Sequence, residues 1–221
     1  MRVVVNPLTR ICSTLCRGAG GAPKVGSLIG HADRKLNEYA PALGRAGALP
    51  RAATERETMR IERIDLYQYR LPMVRPFVIS SGPMTQGHGL FVALHSEGLV
   101  GWGECPTTPS PMYCPETTGT AWHIASEYLI PSMLGADIEE TQDLEPYLGR
   151  VRGHHFCKGM FDMAAWDLVS KRDGLSMARK LAQPYPEGAK ERVACGWAIG
   201  IQGIAETIAA IGAARERGFQ R

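Results

Sequence analysis

Apolar and polar residues alternate along three stretches between residues 60 and 104, and each stretch predicts a strand. In the first, residues 60–71, apolar side chains recur between charged ones at Ile61, Ile64, Leu66 and Tyr69. Glu97 and Gly98 form a predicted tight turn between the second stretch, residues 90–95, and the third, residues 99–104. We expect an antiparallel meander in which Pro72 and Pro76 end the first strand and a flexible, glycine-containing loop occupies residues 82–89.

Helical periodicity follows a proline-rich loop at residues 105–117. Residues 117–134 predict a helix, with Thr118 or Thr120 as a candidate cap and Gly135 as its end. A second helix is predicted by apolar residues that recur at a period of 3.6, namely Cys157, Met160, Phe161, Ala164, Leu168 and Val169. Residues 59–192 therefore predict an α+β domain in which a three-stranded meander packs with helices.

Residues 193–221 carry a different pattern. Residues 193–201 are an almost continuous apolar run, as expected for a strand that is buried on both faces. Residues 204–217 are amphipathic, and Gly218 is a predicted helix cap. A strand followed by a helix is the first unit of a parallel α/β fold. We expect this segment to be the truncated start of a (β/α)8 barrel, because a closed barrel needs about 250 residues.

Residues 1–58 predict no ordered domain. They contain nine Lys/Arg and four Asp/Glu, a balance of +5 that leaves −2 for the rest of a chain whose net charge is +3. The glycine-rich stretch at residues 18–24 lacks the endings that phosphate-binding loops require. Three interpretations stay open: an upstream translated segment before a natural start at Met59, an organellar transit peptide, or a disordered arm.

Charge and cysteine content exclude several classes of function. The balance of −2 beyond residue 58 gives no electrostatic case for nucleic acid. No apolar run reaches the roughly 18 residues of a membrane-spanning helix. The six cysteines fit no zinc or disulfide framework, and such scattered thiols are typical of a cytoplasmic protein.

An ordered set of short motifs carries a resemblance to a known family. The set is RPF at 75–77, GWGEC at 101–105, LIP at 129–131, GH at 153–154, KG at 158–159, AWDL at 165–168, GI at 200–201 and GF at 218–219. In this order and spacing, residues 59–221 resemble the N-terminal part of the enolase superfamily. The likeness is greatest to its o-succinylbenzoate synthase and N-acylamino acid racemase group.

The resemblance implies an N-terminal capping domain that closes over a modified barrel. In such enzymes Mg²⁺, held by three barrel carboxylates, assists removal of a proton alpha to a carboxylate, and lysines act as base and acid. The result is dehydration or racemisation of a small carboxylate substrate, and the full-length enzyme is expected to be a homo-oligomer. Neither the lysines nor the metal carboxylates match positions in this sequence. We therefore expect no catalytic residue and no metal site in this chain, and an inactive fragment.

The resemblance also assigns substrate recognition to two loops of the capping domain, residues 77–88 and residues 105–117. Phe77 and Tyr113 match aromatic positions that line the substrate pocket in similar racemases. Ser81, Thr108 and Ala198 stand where those proteins carry Phe, Met and Ser, so the implied pocket is less apolar than a typical N-acylamino acid site. These five residues form the predicted substrate-binding set.

Other candidate chemical groups have structural interpretations. Glu104 is expected to form hydrogen bonds that fix the following loop. His154 and His155 are adjacent on a predicted helix, so their side chains diverge by about 100° and do not suit shared metal ligation. Cys105 and Cys114 have no base nearby in sequence, which argues against nucleophilic catalysis.

Two hypotheses of function remain from the sequence. The first is the N-terminal fragment of an enolase-superfamily enzyme. The second is a non-catalytic remnant or binding module that consists of the capping domain alone. Coding sequence after Arg221 with a Lys-x-Lys motif and spaced acidic residues would favour the first, and its absence would favour the second.

Overall fold

The computed structural model describes residues 58–220 and the backbone of residues 4–7. The chain divides into two units, residues 12–56 and the remainder, and the described residues all belong to the second. Its strands are β1 (Val4–Pro7), β2 (Met59–Arg60), β3 (Arg63–Ile79), β4 (Gly82–Ser96), β5 (Leu99–Cys105) and β6 (Asp137–Ile138). The main sheet has the order β1-β3-β4-β5, and β2 pairs with β6 in a small second sheet.

The helices follow β5 along the chain, and the longest of them makes the most extensive packing against the sheet. They are α1 (Thr118–Ile124), a π-helical turn (Ala125–Leu129), α2 (Ile130–Met133), a 3-10 turn (Thr141–Leu144), α3 (Glu145–Leu148), α4 (His155–Arg172), α5 (Met177–Ala182) and α6 (Ile204–Glu216). The predicted helix at residues 117–134 is thus confirmed as a chain of three short segments. No helix in residues 58–220 is both long enough and apolar enough to span a membrane.

One hydrophobic core joins the helices to one face of the sheet. Alternate residues of β3 and β4 point into it, including Ile64, Leu66, Val92 and Leu94. The predicted apolar face of α4 supplies the opposite side, and Phe161 is its largest fully buried side chain. The meander and the core-facing helix that were predicted for residues 59–192 are confirmed.

Helix α4 lies unusually close to β5, and the glycines of GWGEC are the reason. A Cβ on Gly103 would overlap the carbonyl oxygen of Met160, so only glycine allows this approach. Asp167 accepts a hydrogen bond from the backbone N–H of Trp102 at 2.9 Å, and Lys171 donates to the carbonyl of Val100 at 2.7 Å. Among the described strands, β5 is at the edge of the sheet, and these two side chains form hydrogen bonds with its backbone groups.

The structure corrects the predicted end of the first strand. β3 and β4 continue as a long hairpin to Ile79 and Gly82, with a bulge between Pro72 and Phe77. The prolines are accommodated because β1 pairs with β3 only as far as Gln68. Among the described strands, Pro72 therefore pairs with β4 alone, and Pro76 lies in the bulge. The predicted flexible loop at residues 82–89 is therefore a strand.

A second correction concerns residues 193–201, which form no strand in the structure. The Ile201 N–H donates to the carbonyl of Val78 at 2.7 Å, the Val193 carbonyl accepts from the Cys195 thiol at 3.6 Å, and Val193 is 73% exposed. A buried strand requires neighbouring strands on both sides, and within residues 58–220 the backbone of this segment bonds to β3 only at Val78. The predicted helix that follows is confirmed as α6, with Ile204, Ile208 and Ile211 exposed.

The predicted disordered leader lies almost entirely outside the described residues, and it stays a prediction. The exception is β1, which pairs in parallel with β3 through the register Val4 to Asp65 and Pro7 to Gln68. The sequence pattern did not predict this strand. Four residues are too short for an alternating pattern to separate a strand from irregular chain.

Candidate substrate-recognition site

The two predicted recognition loops leave the sheet at the same end. Cys105, the last residue of β5, pairs with Leu90, while the β3–β4 hairpin continues for several more residue pairs. The hairpin tip therefore projects beyond the third strand, and the loop that begins at Pro106 starts beside its base. The register of three strands thus places the two candidate segments at the same end of the sheet.

The hairpin tip carries Phe77 and Ser81. Phe77 pairs with Met84 across the hairpin and is half-buried, whereas Ser81 is exposed at the turn. The irregular segment that contains Ala198 lies against this tip, because a Cβ on Gly200 would be 3.3 Å from the Phe77 ring. Ala198 itself is exposed. The structure therefore brings Phe77 close to the segment of Ala198, although 120 residues separate them in sequence.

The second segment is a loop closed at its neck by threonines. Thr108 and Thr117 form an isolated bridge, and the Thr118 N–H donates to the Thr108 carbonyl at 2.9 Å. The Thr118 hydroxyl also donates to the carbonyl of Thr107 at 3.1 Å. Tyr113 lies near the tip and is 71% exposed. No hydrogen bond within residues 58–220 joins this loop to the hairpin, so Thr108 and Tyr113 are grouped apart from Phe77 and Ser81.

Glu116 fastens this loop to the long helix. Its carboxylate is buried, and its two oxygens accept the backbone N–H groups of Phe156 at 2.9 Å and Cys157 at 3.1 Å. Both donors lie in the first turn of α4, where N–H groups lack intrahelical partners. Sequence reasoning missed Glu116. Its acceptor role depends on a helix start 40 residues away, which no local pattern reports.

Glu104 has the structural role that was expected of it. The Tyr69 hydroxyl donates to Glu104 at 2.5 Å, which connects the end of β5 to β3 across the sheet. Burial raises the pKa of Tyr69 well above its usual value, and the hydrogen bond to the Glu104 carboxylate raises it further. The neutral phenol is thus retained as a donor, and the pair fixes the point where the threonine-closed loop begins.

Two buried cysteines near the site, Cys105 and Cys157, favour the protonated thiol form. Burial is the main cause that raises the pKa of Cys105 to about 11 and that of Cys157 to about 12. Cys114 donates its S–H to the carbonyl of Glu116 at 3.1 Å. A thiol with such a pKa is protonated near neutral pH, which agrees with the structural interpretation of Cys105.

The residues near the loops do not form a metal centre. Within residues 58–220, no group of three or more His, Cys, Asp or Glu side chains is arranged to hold a metal ion. His155 begins α4, while His154 precedes it in a left-handed conformation with φ of 53°. The donor set of the described chain therefore does not fit Mg²⁺, which requires clustered oxygen ligands.

Comparison with known proteins gives the family. The domain described as "Mandelate racemase / muconate lactonizing enzyme, N-terminal domain" matches residues 63–181. The chain belongs to this family, and it contains the N-terminal capping domain of the enolase superfamily.

Individual relatives place the chain near the expected group. It is 32% identical over 165 residues to an o-succinylbenzoate synthase of Enterococcus faecalis, covering 74% of this chain and 44% of the relative. It is 29% identical over 164 residues to an N-succinylamino acid racemase of Amycolatopsis, covering 74% and 43%. The chain thus spans less than half the length of these relatives.

Solved structures give the same fold. An enolase-superfamily protein of Enterococcus faecalis V583 superposes with a TM-score of 0.64 at 31% identity, covering 75% of this chain and 44% of that one. An enolase-superfamily protein of Listeria innocua gives a TM-score of 0.67 at 26% identity, covering 74% and 43%. The α+β capping domain predicted from sequence is therefore confirmed.

Proposed function

We propose that this chain is the substrate-recognition portion of an enzyme of the o-succinylbenzoate synthase and N-acylamino acid racemase type. The complete enzyme would remove a proton alpha to a carboxylate and so dehydrate or racemise a small carboxylate substrate. The observation that supports this proposal most is the register that brings the hairpin tip and the threonine-closed loop to one end of the sheet. We also propose that the complete enzyme is a cytoplasmic homo-oligomer, and that this chain alone is inactive.

In the proposed enzyme, Mg²⁺ would be held by residues outside the described part of this chain. In the complete enzyme it would stabilise the negative charge that develops when the alpha proton is removed. A similar protein from Roseovarius nubinhibens was solved in complex with magnesium. The described residues of this chain do not fit the ion, so their contribution is binding, orientation and exclusion of water.

Each predicted site residue has a proposed part in recognition. Phe77 and Tyr113 would supply apolar contact on opposite sides of the substrate, one from each loop. Ser81, Thr108 and Ala198 are small or hydroxylated, so the proposed pocket accepts a more polar group beside the carboxylate than a strongly apolar site would. The proposed substrate is thus a carboxylic acid whose second substituent is itself polar.

A domain graft tests the proposal. Residues 59–192 would replace the capping domain of the Enterococcus faecalis o-succinylbenzoate synthase, which supplies its own barrel. We expect the grafted enzyme to dehydrate or racemise a substrate of its relatives in the presence of Mg²⁺. Tyr113→Ala should raise KM about tenfold with little change in kcat, because it removes ground-state contact. Tyr128→Ala, on the exposed side of the π-helical turn, is the matched control.

The alternative is a binding module made of the capping domain alone. It is favoured by the hydrophobic core, whose buried side chains all come from residues 59–169 and none from the segment after residue 192. Calorimetry on the 221-residue chain separates the two proposals. Saturable binding of a small carboxylate without Mg²⁺, together with an inactive graft, would favour the module and contradict the enzyme.

A further inference from the structure

Glu116 occupies the position that a capping side chain would take at the start of α4. His154 stands at the N-cap of this helix, and its side chain forms no capping hydrogen bond. Glu116, a residue that is only 8% exposed, instead accepts both the Phe156 and the Cys157 N–H groups through its carboxylate. The positive end of the helix dipole favours a negative charge at this point. A loop residue thus caps a helix from outside the helix.

The same loop is restrained from its other side. The bridge between Thr108 and Thr117 closes the neck, and Glu116 lies directly before that neck. Helix α4 is itself fixed to β5 through Asp167 and the close approach at Gly103. The exposed tip that contains Tyr113 is therefore connected through Glu116 and α4 to the rigid sheet.

We infer that Glu116 is a positioning residue for substrate recognition. By binding the N-terminus of α4, it holds the loop that presents Thr108 and Tyr113 in one arrangement beside the hairpin. The last step of this inference, an effect on substrate affinity, rests on the proposed function. The first step, the fastening of the loop to the helix, rests only on the described contacts.

Hydrogen exchange on the full 221-residue chain tests the first step. In Glu116→Gln, one carboxylate oxygen is replaced by an NH2 group, which cannot accept a hydrogen bond. We therefore expect exchange to accelerate about 10- to 100-fold in residues 106–117 and at the Phe156 and Cys157 amides. Glu116→Asp retains the charge and should restore part of the protection. Glu127→Gln, an exposed glutamate on the neighbouring π-helical turn, should change nothing.

Two outcomes would overturn the fastening role. One is unchanged exchange in the loop and at the α4 start. The other is an equal acceleration throughout residues 160–169 in the middle of the helix, which would show a general loss of stability.

The grafted enzyme tests the second step. There Glu116→Gln should raise KM about tenfold while kcat changes by less than about threefold, because a displaced loop weakens binding without touching the reacting atoms. Glu116→Asp should recover part of the affinity. A fall in kcat with KM unchanged would overturn the positioning role. If the unaltered graft is inactive, the proposed function fails, while the exchange result still decides whether Glu116 fastens the loop.

Discussion

Replacing Gly103 by alanine should be among the most destabilising single-methyl additions in the domain. The added Cβ would overlap the Met160 carbonyl oxygen and lie 2.9 Å from its carbonyl carbon and 3.0 Å from the Ala164 nitrogen. All three atoms are helix backbone, so no side chain can rotate away. Either α4 or β5 must move as a unit to accept the methyl group.

The free-energy cost of Gly103→Ala has two parts. Overpacking of this kind costs about 1–3 kcal/mol. Moving α4 outward also stretches the 2.9 Å bond from Trp102 N–H to Asp167, and a hydrogen bond to a charged group contributes about 1.5–3 kcal/mol. Together they give about 2.5–6 kcal/mol, a large share of the roughly 5–15 kcal/mol that stabilises a typical domain. At about 2–4 °C per kcal/mol, Tm should fall by roughly 5–24 °C.

Thermal and urea unfolding followed by circular dichroism would measure this loss. Gly159→Ala is the matched control, because it lies in the same helix with no atom within 4 Å of the added Cβ. It should be neutral or stabilising by about 0.5–1 kcal/mol. If Gly103→Ala falls within about 0.5 kcal/mol of the unaltered protein, the close approach of helix and strand is not a real constraint.

Further predictions concern charge, thiols and the segment after residue 192. Burial alone would raise the pKa of Asp173, but its hydrogen bonds from Arg172 and Lys180 outweigh burial and lower it below the usual 3.8. The stabilising contribution of Asp173 is therefore complete above about pH 4 and is lost as the pH falls through its folded-state pKa. Asp173→Asn should flatten the acid side of the curve of unfolding free energy against pH. An unchanged slope would count against the ion pairs. With iodoacetamide near pH 8, exposed Cys195 should be alkylated well before Cys105, whose pKa is about 11. Equal rates of alkylation would contradict the burial of Cys105. Deleting residues 193–221 should reduce self-association, measured by sedimentation, because exposed apolar side chains are removed. If only the shortened chain aggregates, this segment belongs to the core.

The sequence by itself determined the elements whose signal is periodic. The alternation around Ile64 and Leu66 and the 3.6-residue repeat from Cys157 to Val169 specify which faces are buried, and both faces lie in the core. The ordered motifs also identified the family, because they mark the glycines and turns that this fold requires. The Glu97–Gly98 turn was predicted separately from local sequence, and both residues have the positive φ that a tight hairpin turn needs.

Tertiary structure decided the features that depend on distant partners. The hairpin continues past Pro72 because β4 remains alongside. Residues 193–201 are not a strand because, within the described residues, their backbone bonds to a neighbouring strand only at Val78. Glu116 accepts the N–H group of Phe156, 40 residues later at the start of α4, and Asp167 accepts the N–H group of Trp102 on β5. Hydrogen bonds between remote segments leave no periodic pattern in sequence, so only the folded chain shows which polar groups meet.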